Sequence, residues 1–96
     1  MAIFDQITMP ERFGVMASMP FNSAFESALE SVVGGSKLIK LDGSHMNYID
    51  SAGLGLLIVS YKKARDKNVK ISIINVNKYI KDILGAANLK KIIDIN

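Results

Sequence analysis

The sequence predicts a small α/β domain built on a largely parallel or mixed β-sheet. Strand-like segments rich in apolar and β-branched residues alternate with three segments whose apolar residues follow the helical period. Such alternation favours strands joined by crossover helices, and these crossovers are almost always right-handed. A chain of 96 residues suits one domain. We therefore expect a single domain over residues 1–96, with about four strands and three or four helices that mainly cover one face of the sheet.

The first part of the chain predicts one strand and one helix. Residues 2–9 are apolar enough for a short strand, which ends at Pro10. No element is predicted for residues 11–17. A helix is predicted from Ser18 to the pair Gly34–Gly35, where glycine ends the helical pattern.

The rest of the chain continues the alternation of strands and helices. The predicted elements are a strand at 37–41, a helix at 51–66, a strand at 69–74, a short helix ending at Gly85 and a strand at 91–95. Asn75 and Asn77 are predicted as turn or cap residues between the third strand and the third helix.

The composition argues against several classes of protein. The chain has no cysteine, which excludes a disulfide framework and a thiolate metal site, and one histidine, which excludes a histidine cluster. No apolar run approaches the ~20 residues of a membrane-spanning helix. The first residues lack the basic start and long apolar stretch of a secretory signal. We expect a cytoplasmic protein with no membrane insertion, metal or cofactor.

The charge of the chain is mildly basic, with a formal net charge of +3. Much of the positive charge surrounds the end of the second predicted helix, in Lys62, Lys63, Arg65, Lys67 and Lys70. Positive side chains at a helix C-terminus complement its dipole. No aromatic residue is interleaved with these charges, as a single-strand binder would require. We expect no nucleic-acid partner.

The segment Asp50–Leu57, with sequence DSAGLGLL, places a carboxylate beside a hydroxyl where the second helix is predicted to begin. Both residue types are preferred helix N-caps, because their oxygens accept hydrogen bonds from the free amides of the first turn. The same amides and the helix dipole favour a bound phosphate. Ser51 is therefore either a capping residue or a site that carries a phosphoryl group.

The second helix is predicted to have two apolar stripes. The stripe expected to pack on the sheet consists of Leu54, Leu57, Ile58 and Tyr61. An adjacent row, which starts beside Ser51, consists of Ala52, Leu56, Val59 and Lys63. This row is either part of a wide buried face or an exposed docking surface.

The segment Tyr48–Leu57 resembles the signature of STAS domains, the anti-sigma factor antagonist family, which reads roughly D-S-[STA]-G-[LA]-G. Further similar segments are Lys40–Asp42, Asn75–Asn77, Ala87–Leu89 and Ile92–Ile95. Met9–Phe13 resembles the opening of a short proteobacterial subgroup, which works in partner-switching control of biofilm, motility or stress genes.

This resemblance implies a binding protein and no enzyme. In the family, a serine kinase of the histidine-kinase ATPase fold, often itself an anti-sigma factor, phosphorylates the serine after the motif aspartate. A PP2C-type phosphatase removes the phosphate, and only the unphosphorylated form holds its partner. That serine is Ser51 here, and position 52 is alanine where many relatives have a second hydroxyl. We expect the carboxylate of Asp50 to cap the helix and to orient Ser51 for the kinase.

The resemblance and the helix pattern together predict a partner-binding surface on a monomer. Its residues are Asp50, Ala52, Gly53, Gly55, Leu56, Val59 and Lys63. Some STAS domains keep the motif but act as constitutive, unphosphorylated subunits, for example in a lipid-transport ABC complex, so a structural subunit of a transporter or regulatory complex is the alternative.

Two catalytic or nucleotide-binding interpretations are weaker. A hydrolase would pair Ser51 with His45, but Asp50 precedes the serine and the glycine-flanked nucleophile elbow is absent. Gly53 and Gly55 lack the third glycine or the G-K-[ST] of a nucleotide loop. These glycines instead suggest close approach of a partner backbone or of the sheet.

Overall fold

The computed structural model of the chain describes residues 4–32 and 38–96. In chain order the elements are β1 (Phe4–Thr8), β2 (Arg12–Phe13), α1 (Ser18–Val32), β3 (Leu38–Asp42), β4 (Tyr48–Ile49), α2 (Ser51–Asp66), β5 (Lys70–Ile74), α3 (Lys78–Ala86) and β6 (Asp94–Ile95). Single turns of 3-10 helix cover Val15–Ala17 and Leu89–Lys91.

The main sheet has four strands in the order β1–β3–β5–β6, and every pairing in it is parallel. Each crossover moves one strand further in the same direction, which places right-handed connections on the same face. In agreement, α1 contacts β1 and β3, α2 contacts β5, and the two helices contact each other. The predicted α/β class is confirmed, and the sheet is parallel.

The register gives the sheet a helix-covered face that is mainly apolar and an opposite face of mixed character. Successive residues of a strand point to opposite faces, so residues in register across the strands share a face. One row, on the helix-covered side, consists of Ile7, Leu41, Ile73 and Ile95. The neighbouring row, on the opposite face, consists of Gln6, Lys40, Ser72 and Asp94.

An aromatic cluster joins α1 to the short strand β2. The ring of Phe21 meets that of Phe13 edge-on at 4.9 Å and stacks on that of Phe25 at 5.8 Å. All three side chains are buried in the core. Burying each such ring contributes about 1.5–3 kcal/mol, so this cluster fixes β2 firmly against the helix layer.

Residues 11–17, for which the sequence predicts no element, contain β2 and a turn of 3-10 helix. Strand β2 pairs in parallel with β4, with Arg12 opposite Tyr48 and Phe13 opposite Ile49. Each strand has two residues, which is too short to show the alternation that identifies strands in a sequence.

The predicted last strand begins too early. Lys91 ends a turn of 3-10 helix, and the strand itself is only Asp94–Ile95. The reason lies at Asn88, whose φ of 62° turns the chain and starts this extra turn.

The predicted helix stop at Gly34–Gly35 lies outside the described residues, as do residues 2, 3 and 37 of two predicted strands.

The predicted roles of Asn75 and Asn77 are confirmed. Asn75 takes a φ of 63°, which ends β5 in a turn. Asn77 caps α3, because its Oδ1 accepts a hydrogen bond from the amide of Ile80 at 2.8 Å.

Within the described ranges, no helix has both the length and the apolar character needed to cross a bilayer.

Two glycines of α2 lie in opposite environments, and this difference is testable. A Cβ on Gly53 would overlap the carbonyl oxygen of Phe13 and come within 2.9 Å of Ile49 Cγ1, whereas a Cβ on Gly55 would meet nothing within 4 Å. We expect Gly53→Ala to lower the free energy of unfolding by about 1–3 kcal/mol. Gly55→Ala should raise it by about 0.4–1 kcal/mol, because alanine favours the helix. Urea unfolding followed by circular dichroism measures both. Equal changes in the free energy of unfolding for the two variants would contradict a close contact between the Phe13 backbone and Gly53.

Candidate functional site

The N-cap of α2 is Asp50. Its backbone is extended, with φ −121° and ψ −173°, and its Oδ1 accepts a hydrogen bond from the amide of Gly53 at 3.0 Å. Ser51 is the first residue of the helix and is exposed to solvent. The capping task therefore belongs to the carboxylate, and the helix does not need the Ser51 hydroxyl as its cap.

The second oxygen of Asp50 is held by Tyr48. The phenol Oη donates a hydrogen bond to Asp50 Oδ2 at 3.2 Å. The hydrogen bond from the Gly53 amide, with a smaller contribution from Tyr48, lowers the pKa of Asp50 below its ordinary value of 3.8. At neutral pH the residue before Ser51 is thus an oriented, ionised carboxylate.

Residues 12–14 form a wall against the start of α2. The guanidinium of Arg12 lies 4.0 Å from the centre of the Tyr48 ring, a cation–π contact across the β2–β4 pair. The backbone of Phe13 presses on Gly53. A Cβ on Gly14 would lie 2.6 Å from Asp50 Oδ2, so only glycine fits there without a shift.

This wall leads directly into an exposed apolar segment. Val15 is 67% exposed, Met16 90% and Met19 80%, and the 3-10 turn that contains the first two contacts α2. We call these three residues the methionine patch. From the sequence, the segment around Phe13–Met19 is only the next candidate for the partner surface, after the row on α2, because side chains at the start of an element give no sign of whether the core covers them.

The buried face of α2 differs from the predicted stripe. Its buried residues are Gly53, Leu57, Ser60 and Ala64. Leu54 and Tyr61 are only half-buried, and Ile58, predicted to face the sheet, is 37% exposed. The prediction for Ile58 is wrong because it takes only the large apolar residues into account. The buried face of α2 consists mostly of small residues, which let the helix lie close to its neighbours, and Ile58 lies beside this face.

The second predicted row divides between core and surface. Leu56 is half-buried and packs against the core, Ala52 is half-buried, and Val59 is 48% exposed. Lys63 makes an ion pair with Glu26 of α1, with Nζ 2.7 Å from Oε1. The outer surface of α2 near Ser51 thus carries Val59 and Ile58 as its exposed large apolar side chains.

His45 lies exposed in the loop between β3 and β4. That loop is held by Asp42, whose Oδ1 accepts hydrogen bonds from the Ser44 amide at 3.0 Å and the Asn75 side chain at 3.3 Å. These two bonds lower the pKa of Asp42, the Ser44 bond most. Among residues 4–32 and 38–96, no three histidine, cysteine or acidic side chains are grouped as a metal site.

The structure has the two features that the sequence motif implies for a STAS domain. One is a parallel sheet with helices on one face, and the other is a helix that is capped by aspartate and has serine as its first residue. The STAS domain family model matches residues 21–96, so the chain belongs to the STAS domain family. This confirms the resemblance read from the motif around Asp50 and Ser51.

Two solved structures share the fold. A candidate anti-sigma factor antagonist from Thermotoga maritima matches with a TM-score of 0.73 and 20% identity, over 99% of this chain and 81% of that one. A sulfate transporter family protein from Wolinella succinogenes matches with a TM-score of 0.73 and 11% identity, over 92% of this chain and 69% of that one. No curated protein matches the sequence. At these identities, the likeness shows the fold alone.

The ionised cap predicts a pH-dependent contribution to stability. The folded pKa of Asp50 is lowered, so its stabilisation is present above the unfolded value, near 3.8, and is lost as the pH falls through the folded pKa. Asp50→Asn keeps a capping side chain but removes the charge. We expect wild type to melt above this variant at pH 7, and the difference to shrink below about pH 3.8.

Thermal melts from pH 7 to pH 2 measure this difference, and Glu30→Gln, at an exposed acid on α1, is the matched control. Asp42 and Asp82, whose pKa values are also lowered, are present in all three proteins and cancel. A constant difference between wild type and Asp50→Asn across the whole range would contradict the ionised cap.

Proposed function

We propose that this STAS domain is a partner-switching regulator, an anti-sigma factor antagonist whose binding is controlled by phosphorylation of Ser51. The observation that carries the proposal is the division of tasks at the start of α2. Asp50 caps the helix, while Ser51 is exposed at its first position. Its hydroxyl is therefore accessible for modification without loss of the cap.

The charge of a phosphate explains how one modification releases a partner. Phosphorylation adds about −1.5 to −2 charge and three acceptor oxygens. In the free domain, solvent and the first amides of α2 stabilise that charge. A partner packed on the motif must instead remove water from the phosphate and from the ionised Asp50 together, which is unfavourable. The domain stays folded while the interface is lost.

Exposed apolar side chains near the motif support a protein partner. Ile58 and Val59 lie on the outer surface of α2, and the methionine patch follows the wall that presses on Asp50. Methionine side chains are flexible and polarisable, and they adapt to surfaces of different shape. Such a surface suits a protein that binds a serine kinase of the histidine-kinase ATPase fold and a PP2C-type phosphatase in turn.

The same geometry supports binding over catalysis. Both oxygens of Asp50 are engaged, by the Gly53 amide and the Tyr48 hydroxyl, so this carboxylate is committed to holding the helix start. A nucleophilic serine needs a base and an oriented third group beside it. His45 instead lies on an exposed loop, next to the turn that Asp42 holds.

A constitutive subunit of a larger complex is the second candidate function. The structural likeness to a sulfate transporter family protein favours it, because that likeness is as close in TM-score as the one to the candidate antagonist. The two functions differ in one property: a constitutive subunit carries no regulatory phosphate on Ser51.

Phosphopeptide mapping of the protein from its native cells tests the proposal. We expect phosphate on Ser51 and none on Ser60, whose side chain is buried at 1% exposure. Ser44 is exposed and serves as a control for unspecific modification. Stoichiometric phosphate on Ser44 with Ser51 unmodified would contradict the assignment of Ser51 as the regulatory site. No phosphate under any growth condition would contradict the switch and favour the constitutive subunit.

Binding assays with two baits extend this test. Ser51→Ala should retain a serine kinase from native lysate, whereas Ser51→Asp should retain it at least about tenfold less, because it places a second negative charge beside Asp50. Recovery of the same proteins in equal amounts by both baits would count against control by charge.

The position of the partner surface is tested by placing a charge on it. Val59 is 48% exposed, so Val59→Glu should leave the thermal midpoint nearly unchanged and weaken kinase binding by about tenfold or more. Ile92→Glu is a matched control, since Ile92 is 39% exposed and lies near Tyr61 and Arg65 at the other end of α2.

Met16→Glu completes the set. If Val59→Glu binds normally and Met16→Glu does not, the interface lies on the methionine patch. If Val59→Glu unfolds, Val59 belongs to the core. Equal loss of binding in Ile92→Glu would mean that added charge alone weakens the complex.

A further inference from the structure

A chain of three side chains runs from β2 to the start of α2. The Arg12 guanidinium lies 4.0 Å from the centre of the Tyr48 ring. The hydroxyl of the same ring donates to Asp50 Oδ2 at 3.2 Å. The other carboxylate oxygen accepts from the Gly53 amide at 3.0 Å. Asp50, the residue before Ser51, is thus linked step by step to a cation on another strand.

The backbone keeps these contacts in place. The β2–β4 pairing puts Arg12 directly opposite Tyr48. Gly14, two residues after Arg12, lies so close to Asp50 that a Cβ there would be 2.6 Å from Oδ2. The carboxylate is therefore held by a phenol and by a helix amide, and no side chain at position 14 displaces it. Its orientation follows from these two hydrogen bonds.

The Arg12–Tyr48 contact also affects the strength of the next bond. A cation over an aromatic face is attracted by the electrons of the ring, and it draws them towards itself. A phenol polarised in this way is a better hydrogen-bond donor, as linked polar groups polarise one another. On this argument, we expect Arg12 to strengthen the hydrogen bond from Tyr48 to Asp50 through the ring.

We propose that Arg12 and Tyr48 are positioning residues that hold the Asp50 carboxylate beside Ser51, and that this hold sets the rate of Ser51 phosphorylation. The second half rests on the proposed function, whereas the first half concerns the free domain. An aspartate held in one orientation presents the kinase with a fixed charge on the residue that precedes the acceptor serine. A mobile aspartate has to be ordered in each encounter, which costs free energy.

The chain offers a matched control pair for this proposal. The guanidinium of Arg65 lies 5.7 Å from the centre of the Tyr61 ring, near the other end of α2. This is also an arginine–tyrosine contact, but it is longer and lies away from Ser51. Changes at Tyr61 and Arg65 therefore report what loss of such a contact does to the domain in general.

The first test reads Asp50 directly in the purified domain, with no kinase present. The pH titration of its side-chain carboxyl ¹³C resonance should have a midpoint below 3.8 in wild type. Tyr48→Phe, which removes only the hydroxyl, should raise the midpoint. Arg12→Ala should raise it by less, and Arg12→Lys should restore part of the shift by keeping a cation on the ring. Tyr61→Phe and Arg65→Ala should leave it unchanged.

An unchanged midpoint in Tyr48→Phe, with a thermal midpoint like that of wild type, would overturn the hold on Asp50. An equal shift in Tyr61→Phe would overturn it too, because the effect would then be general to the fold.

The second test measures Ser51 phosphorylation by the kinase that the Ser51→Ala bait retains, with ATP as the phosphate donor. Tyr48→Phe and Arg12→Ala should lower kcat about three- to tenfold with KM nearly unchanged, because the acceptor is misplaced and not undocked. Arg12→Lys should recover part of kcat. A rise in KM at constant kcat would overturn positioning and make Arg12 a docking residue.

The two tests separate the failures. If wild-type Ser51 receives no phosphate, the proposed function fails and the kinetic half of this inference fails with it. The titration still decides whether Arg12 and Tyr48 hold Asp50. If Ser51 is phosphorylated at wild-type rates in Tyr48→Phe, the proposed function stands and the positioning role is overturned.

Discussion

The contact between the Phe13 backbone and Gly53 fixes the geometry of the candidate site. The missing side chain of Gly53 lets β2 lie directly against the first turn of α2. Because β2 is held there, it pairs with β4, the strand that leads into Asp50. The aromatic cluster around Phe13 anchors the same segment to α1. The site is therefore formed by two segments that are distant in the sequence, β2 and the junction between β4 and α2.

Under the proposed function, Asp50 and Ser51 divide between them two tasks, the capping of α2 and the binding of a phosphoryl group. A serine that caps a helix uses its hydroxyl oxygen to hold the first amides, and a phosphate on that oxygen disturbs the cap. Here the carboxylate accepts from Gly53 and leaves the serine at the first helical position. The cap thus does not use the serine hydroxyl, which is the physical requirement for the proposed switch, one that acts on binding and leaves folding intact.

The sequence predicts the fold well because the information is periodic. The alternation of strands with helices identifies α1, α2, β3 and β5 to within a few residues. The pair β2–β4 escapes prediction, since two residues carry no period and their pairing depends on a contact between distant segments. For the site, the motif indicates the helix start and the exposed serine. It also predicts Asp50 as the cap, and the hydrogen bond from the Gly53 amide confirms this.

The prediction for α2 fails where size matters more than hydrophobicity. Ser60 and Ala64 are buried, while the larger Ile58 lies at the surface. The large apolar residues indicate only the approximate position of the buried face on the helix. Where the helix lies close to its neighbours, small residues occupy the contact. The cation–π contact of Arg12 with Tyr48 likewise gives no signal in the sequence, because 36 positions separate the two residues along the chain.

The place of Ser51 in the first turn of a helix has a consequence for how information enters this domain. An acceptor in an extended loop can be read as a short linear sequence, even in an unfolded chain. Ser51 instead lies in a helix whose start is fixed by the capping carboxylate of Asp50 and by the backbone of β2, a strand distant in the sequence. An enzyme that recognises this arrangement reads tertiary structure. Under the proposed function, only correctly folded molecules are phosphorylated by the kinase. Misfolded copies do not take part in signalling, and no separate mechanism is needed to exclude them.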